Sequence, residues 1–410
     1  MKHKIMNWFI TDYKRTLFVI ISIAMLITLP IMSKNAGMSG DEHFHFQQAE
    51  NVVNFYKTLG KDTTAVSGTG TGIVEGFIMY YGQLPDNISS FVATVFHIED
   101  IVAVRHSVNS IFGWVGILFA GLLAFRISRN WLAAIITSLL LFFSPRYLGH
   151  SFNNLKDLPF AAIMMMGVYY ITCFYQTFPK TPKRIMVMTA VSIGLALAIR
   201  VGGLLLIAYF GLFGIVFFIK EWVECRIQIK KNKKIVSEQK KNITSIFFKL
   251  LIYGIIIALA GYMIGVLLWP YALVSPVKHV MATFAEMSNF GSAIRQNFEG
   301  SLQWSDYFPW YYTPKYIFIT IPVAVIIGAV LYLFIGGCKK ENRFTTFIVF
   351  FSFFFPVFWI VYTNANVYGG WRHSLFAYPP MVVAAGLGFN LAIEWVSKKL
   401  TGKSENPEKL

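Results

Sequence analysis

The chain is organised around long runs of apolar residues, and their length sets the fold class. A helix rises about 1.5 Å per residue, so crossing a bilayer core of roughly 30 Å takes about 20 mostly apolar residues, with about 17 as the low end. Ten runs are candidates: 16–32, 108–125, 131–147, 158–176, 185–199, 202–219, 247–269, 316–337, 344–362 and 375–396. The fifth and sixth are short and meet at Arg200-Val201-Gly202-Gly203, where a tight helical hairpin also fits. The expected fold is therefore an all-α polytopic membrane protein of about ten transmembrane helices. Composition agrees: 56% of residues are hydrophobic and 14% are charged, against about 25% charged in soluble domains. Disorder, collagen, coiled coil and a disulfide scaffold are excluded on the same grounds.

A net charge of +16 invites a nucleic-acid reading, but its distribution points to a membrane. With alternating spans, 25 of the 36 Lys and Arg fall on the side that holds both termini. Basic residues collect in cytoplasmic loops, so both termini are expected inside and the expected localisation is the plasma (inner) membrane, or the ER membrane in a eukaryote. The basic segment 220–246 reads as a cytoplasmic loop against anionic lipid headgroups. No recognition module accompanies it, so no nucleic-acid partner is expected. The first apolar run reads as a retained anchor, because no small-residue cleavage site follows it.

Residues 1–396 read as a single transmembrane domain, with outer loops at 33–107 and 270–315 and a short polar cytoplasmic tail at 397–410. The first outer loop shows short amphipathic stretches at 41–59, 72–81 and 87–98 that suit helices lying in the membrane interface. Between them, Ser67-Gly-Thr-Gly-Thr-Gly72 reads as a flexible turn or a phosphate contact; it is not a Walker pattern.

Four polar constellations fall on the outer side. Gly40-Asp41-Glu42-His43-Phe44-His45 follows the first span. Adjacent carboxylates there suit a general base or a divalent metal (Mg or Mn) with Asp41, His45 and the more distant Asp157. They equally suit a helix start, with Asp41 as N-cap and Glu42 favoured by the helix dipole. The second, 144–157, carries Arg146, His150, Asn153, Asn154, Lys156 and Asp157 in one connection, for a site or for headgroup anchoring. The third is Arg200, whose depth suits a cavity or an anionic partner, or else snorkelling. The fourth, 364–374, brings together Tyr368, Trp371, Arg372 and His373, as a phosphate site or as belt aromatics. Arg105-His106 is a similar, weaker pair.

As a set, these residues resemble the GT-C glycosyltransferases. The likeness is nearest to the protein O-mannosyltransferase and aminoarabinose-transferase branch. It rests on the acidic pair after the first span, the outer Asp before the fourth, and Trp269-Pro270-Tyr271 with Ser275-Pro276. It also rests on Tyr312-Thr-Pro-Lys-Tyr-Ile-Phe-Ile-Thr-Ile-Pro322 and Tyr368-Gly-Gly-Trp-Arg-His373. The resemblance implies a sugar donor linked to polyprenyl or dolichyl phosphate and inverting transfer on the outer face. It matches Asp41 to the catalytic acidic residue of the first loop, with Glu42 beside it, and Asp157 to the acidic residue of the second. The chain departs from that group in having no soluble carbohydrate-binding-like domain and fewer spans.

The function expected is transfer of that sugar to a hydroxyl on a lipid, glycan or protein acceptor. Arg372, Arg200, Arg105 and Lys156 are the expected donor-phosphate ligands. His43, His150, Asn154, Tyr312, Tyr368, Trp371 and His373 are expected around the substrate. A transporter or flippase for a lipid-linked substrate and a polysaccharide ligase or polymerase are the alternatives.

Overall fold

The computed structural model describes residues 13–40, 42–67, 78–231, 236–288, 293–336 and 342–401. Its principal elements in chain order are α1 (Tyr13–Ser33), α2 (Glu42–Lys57), α3 (Leu84–Phe96), α4 (Ile101–Ser128), α5 (Trp131–Phe142), α6 (Pro145–Asn153), α7 (Asp157–Thr177), α8 (Lys183–Ile199), α9 (Leu204–Lys231), α10 (Val236–Leu267), α11 (Lys278–Ser288), β1 (Arg295–Phe298), β2 (Ser301–Trp304), α12 (Tyr312–Thr320), α13 (Val323–Leu331), α14 (Arg343–Tyr362) and α15 (Tyr378–Thr401). Over their described residues the ten expected spans are mostly helical, and two of them are broken by a bend. Among the described residues seven helices are long and apolar enough to cross a membrane, or nine if each of two bent pairs counts as one span. α8, at 17 residues, is shorter than these. The chain is a multi-pass membrane protein.

Both bends have the same cause. The residue before a proline is pushed out of the helical region by the ring. α5 and α6 meet at 66° across Ser144-Pro145, and α12 and α13 meet at 100° across Ile321-Pro322. The first bend makes most of the expected 144–157 connection helical, as α6. The basic segment 220–246 also departs from a loop: α9 runs to Lys231 and α10 begins at Val236. It holds no Gly or Pro and is rich in Lys, Glu and Gln, which favour helix. The segment between α11 and α12 carries a two-stranded hairpin, β1 against β2, closed by Glu299 and Gly300 with φ of 53° and 79°. Positive φ at both central residues is what a tight hairpin turn needs. Of the three expected interfacial helices, the first and third are α2 and α3. The middle one falls largely on 68–77, outside the described residues, as does the Gly-Thr repeat.

The chain divides into two compact units. The first comprises the described parts of Met1–Ala36, Ser110–Phe152 and Ser292–Leu410. There α1 turns Phe18, Met25 and Leu29 inward and leaves Ile20, Ile23, Ile27 and Ile31 on its outer face. Phe18 packs on Trp131, which stacks on Phe125 at 3.8 Å. The second unit comprises the described parts of Gly37–Asn109 and Asn153–Gly291. α7 is its central helix, with most of its side chains buried. Trp269, itself buried, donates from Nε1 to the Met79 carbonyl at 3.0 Å and so anchors the middle of the segment between α1 and α4.

That anchor leads into the turn Tyr81-Gly82-Gln83, which lies on the last residues of α8. A Cβ on Gly82 would stand 2.0 Å from the Ala198 carbonyl oxygen, so only glycine lets the two backbones meet. Gly82→Ala should lower unfolding stability by about 1–3 kcal/mol. The measurement is thermal unfolding in detergent with helix content followed in parallel.

Candidate active site

The Gly82 contact brings the segment between α2 and α3 to the end of α8, where Arg200 emerges. The Gln83 backbone N–H donates to the Ile199 carbonyl at 3.3 Å. Gln83 has a φ of 41°, and its side chain meets His45 Nδ1 at 2.8 Å and Asn87 at 3.3 Å. One short turn therefore ties α2, α3 and α8 together.

Arg200 points at the start of α7. Its Nη2 lies 2.7 Å from Asp157 Oδ1, with Asp157 2% exposed and Arg200 18%. Asn154 holds the carboxylate from the other side: its Nδ2 donates to Asp157 Oδ2 at 3.1 Å, and its Oδ1 accepts from the Asp157 backbone N–H at 2.9 Å. The first turn of α7 adds the positive end of a helix dipole. Tyr81 faces this pair. Lys156 Nζ lies 4.8 Å from its ring centroid, the Arg200 guanidinium carbon 5.8 Å, and the His45 ring meets it edge-on at 5.9 Å. An aromatic face holds cations without neutralising them. The phenol ring thus keeps two positive groups together beside one carboxylate.

A second charged group lies in the same unit. Glu42 is buried in the first turn of α2. Its Oε1 accepts from the Ser39 backbone N–H at 2.6 Å, as the acid of a capping box does, and its Oε2 lies 3.0 Å from His106 Nε2. Burial works against the Glu42 carboxylate, but the bonds from His106 and Ser39 outweigh it and hold its pKa below the usual value. A carboxylate only accepts, so Nε2 carries the proton between them. Asp86, fully buried in α3, pairs with Arg105, whose guanidinium also lies 4.0 Å from the Phe46 ring centroid. Burial pushes the Asp86 carboxyl up to about 6, against the pull of Arg105 and Lys156.

The first unit holds the remaining expected residues. Gly369 and Gly370 both have φ near +70°, and their N–H groups donate to Gln296 Oε1 and to the Tyr312 hydroxyl at 2.8 and 3.1 Å. The Arg146 guanidinium lies beside Gly370. Trp371 is buried and donates from Nε1 to Thr320 at 2.7 Å. Tyr312 and Trp371 thus shape the 364–374 loop. Arg372 and His373 are half-buried around Tyr368, the Arg372 guanidinium 4.8 Å and the His373 ring 4.7 Å from its centroid. His150 is half-buried on α6.

Of the residues expected from sequence, Glu42, His45, Arg105, Asn154, Lys156, Asp157 and Arg200 share the second unit. His43 is there too, exposed and stacked on Phe44. Asp41 lies outside the described residues. Among those described, no three His, Cys, Asp or Glu side chains gather as metal ligands. Asp157 is matched by Arg200 and His45 is engaged with Gln83. Sequence reading missed Tyr81, Gln83 and Asp86. Asp86 follows Leu84-Pro85, where an acidic residue reads as an ordinary helix start.

Comparison with known proteins bears on the second unit most closely. Residues 77–272 match the family model of dolichyl-phosphate-mannose-protein mannosyltransferases. That span includes Tyr81, Asp86, Arg105, Asp157 and Arg200. No curated protein sequence matches the chain. Among solved structures, ArnT from Cupriavidus metallidurans, crystallised with undecaprenyl phosphate, superposes with a TM-score of 0.58 at 12% identity. The match covers 96% of this chain and 66% of ArnT. The resemblance to the GT-C group is thus present in sequence and in fold, and the chain has the fold of that polytopic membrane protein.

Removing one member of a buried ion pair strands the other and costs about 3–5 kcal/mol, whereas replacing both with apolar residues is close to neutral. Arg105→Met should therefore lose about that much stability, and Arg105→Met with Asp86→Leu should regain most of it. A thermal-unfolding double-mutant cycle checks both.

Proposed function

We propose that this protein is an integral membrane glycosyltransferase. It takes a sugar from a polyprenyl-phosphate donor, or from dolichyl phosphate in a eukaryotic host, and passes it to an acceptor hydroxyl with inversion. The observation that carries this reading is the Asp157–Arg200 pair with Lys156 and Tyr81, inside the segment that matches the mannosyltransferase family. The undecaprenyl phosphate bound to ArnT supports the donor class. The distribution of Lys and Arg along the chain supports cytoplasmic termini and a site on the extracytoplasmic face.

In this mechanism the acceptor oxygen attacks the anomeric carbon as the bond from that carbon to the phosphate oxygen breaks. Asp41 takes the hydroxyl proton. The departing polyprenyl phosphate gains a negative charge, so it needs cations rather than a general acid. Arg200 and Lys156, gathered on Tyr81, supply them. Asp157 and Asn154 fix the direction of Arg200. Arg105, occupied by Asp86, acts as a positioning residue for this end of the unit, with Glu42 and His106 beside it. Arg372, also expected from the sequence to meet the donor phosphate, lies in the first unit beside Tyr368.

The test is transfer from a radiolabelled polyprenyl-phosphate sugar by purified protein, with released polyprenyl phosphate measured alongside. A transferase releases it; a flippase does not. Loss of one donor that stabilises developing charge typically costs 10²–10³-fold in rate, so Arg200→Ala should fall by about that factor, and Asp41→Asn should be inactive while still folded. Tyr81→Phe should stay near wild type and Tyr81→Leu should lose roughly 3–30-fold, the value of two weak cation–ring contacts. Near-normal turnover by Asp41→Asn would remove it as the base.

A further inference from the structure

The end of the second unit away from Asp157 and Arg200 carries a different feature. A groove of about 450 Å³ runs along α9 and α10, floored by Tyr175 of α7 and Ile193 of α8. The Tyr175 hydroxyl already donates to the Phe210 carbonyl at 2.5 Å. What remains is hydrocarbon: Ile207, Phe218, Phe247, Leu251 and Ile255 among the walls. Gly211 lies in the wall with nothing within 4 Å of the place its Cβ would take, so close packing does not require glycine there.

The groove reaches down to the contact between Phe218 and Phe247, at 5.6 Å between centroids. The stripe of α9 that lines it, Gly211, Gly214, Ile215 and Phe218, continues at helical spacing to Trp222 and Arg226. The Arg226 guanidinium lies 5.0 Å from the Trp222 ring centroid, and Trp222 is exposed. Among the described residues this end of α9 also carries the exposed Lys220 and Lys230, with Glu221 and Glu224 beside them. An apolar slot whose α9 stripe continues, one and two helical turns on, to an exposed Trp and an Arg with lysines on the same helix is complementary to an anionic lipid, chain inward and phosphate outward.

We propose that this groove is a binding site for an anionic glycerophospholipid of the leaflet on the basic side. One acyl chain fills the groove along Gly211, and the phosphate meets Arg226 beside Trp222. The site is separate from the donor cations, which lie at the other end of α7. Its identification as the cytoplasmic leaflet rests on the orientation proposed above; its existence does not rest on transferase activity.

The full-length protein in detergent is titrated with phosphatidylglycerol or with phosphatidylcholine of the same acyl chains. Bound lipid is counted by native mass spectrometry and thermal unfolding is followed. Ligand that binds only the folded state raises Tm, and for phosphatidylglycerol we expect a rise on the order of 3 °C above that with phosphatidylcholine. Gly211→Leu, which fills the slot, should lose the retained lipid and the response. Arg226→Ala, two helical turns beyond Phe218, should keep binding but lose the preference for phosphatidylglycerol. Equal responses to the two lipids in the wild type would overturn the proposal. So would an unchanged response in Gly211→Leu, displacement of phosphatidylglycerol by undecaprenyl phosphate, or a groove variant that changes the oligomeric state in place of lipid retention. Because the readout is lipid binding, loss of the transferase reading would leave this result standing.

Discussion

A buried charge must be matched or it unfolds the structure around it, and the second unit is organised by that requirement. Asp157 and Arg200 stand at the ends of two apolar helices, where neither ion is tolerable alone. Their pairing fixes the start of α7 against the end of α8. The turn at Gly82 then brings Tyr81 against the pair, and Tyr81 gathers Lys156. Asp86 with Arg105 and Glu42 with His106 repeat the rule nearby. The proposed site for a phosphate ester at the edge of hydrocarbon faces the same constraint, and Lys156 and Arg200 gathered at Tyr81 are the cations offered to it.

Much of the fold was legible because the bilayer is a severe solvent. Runs of apolar residues read directly as helices, and over their described residues the ten are mostly helical. What escaped the reading was local. The bends at Pro145 and Pro322 were hidden because both prolines sit inside or beside apolar runs, and hydropathy does not register a change of direction. The hairpin at 295–304 was hidden because four-residue strands carry almost no periodic signal. The helical stretch from Lys220 onward read as a loop because its charges mark it as outside the membrane, while its lack of Gly and Pro, which marks helix, was given less weight.

The site divides along similar lines. Asp157, Arg200 and Lys156 drew attention because charges next to apolar runs are costly. Tyr81 and Gln83 did not, because a tyrosine in an outer loop is ordinary and its role depends on which residues Gly82 lets it approach. Asp86 passed as a helix-start residue; only its complete burial distinguishes it. Tyr312 and Trp371 were expected around the substrate, and they are buried groups that shape the 364–374 loop. The second unit thus places its buried charges at one end of α7, and an apolar groove toward the other.

The central claim is that the cations at Tyr81 recognise the phosphate of a lipid carrier and not merely its chain. The most direct measurement compares equilibrium binding of polyprenyl phosphate and of the uncharged polyprenol of equal length to the purified protein. The account predicts tight, salt-sensitive binding of the phosphate, weak binding of the alcohol, and loss of the difference in Arg200→Gln. Equal affinity for the two lipids, or a preference for the phosphate that survives Arg200→Gln unchanged, would contradict it.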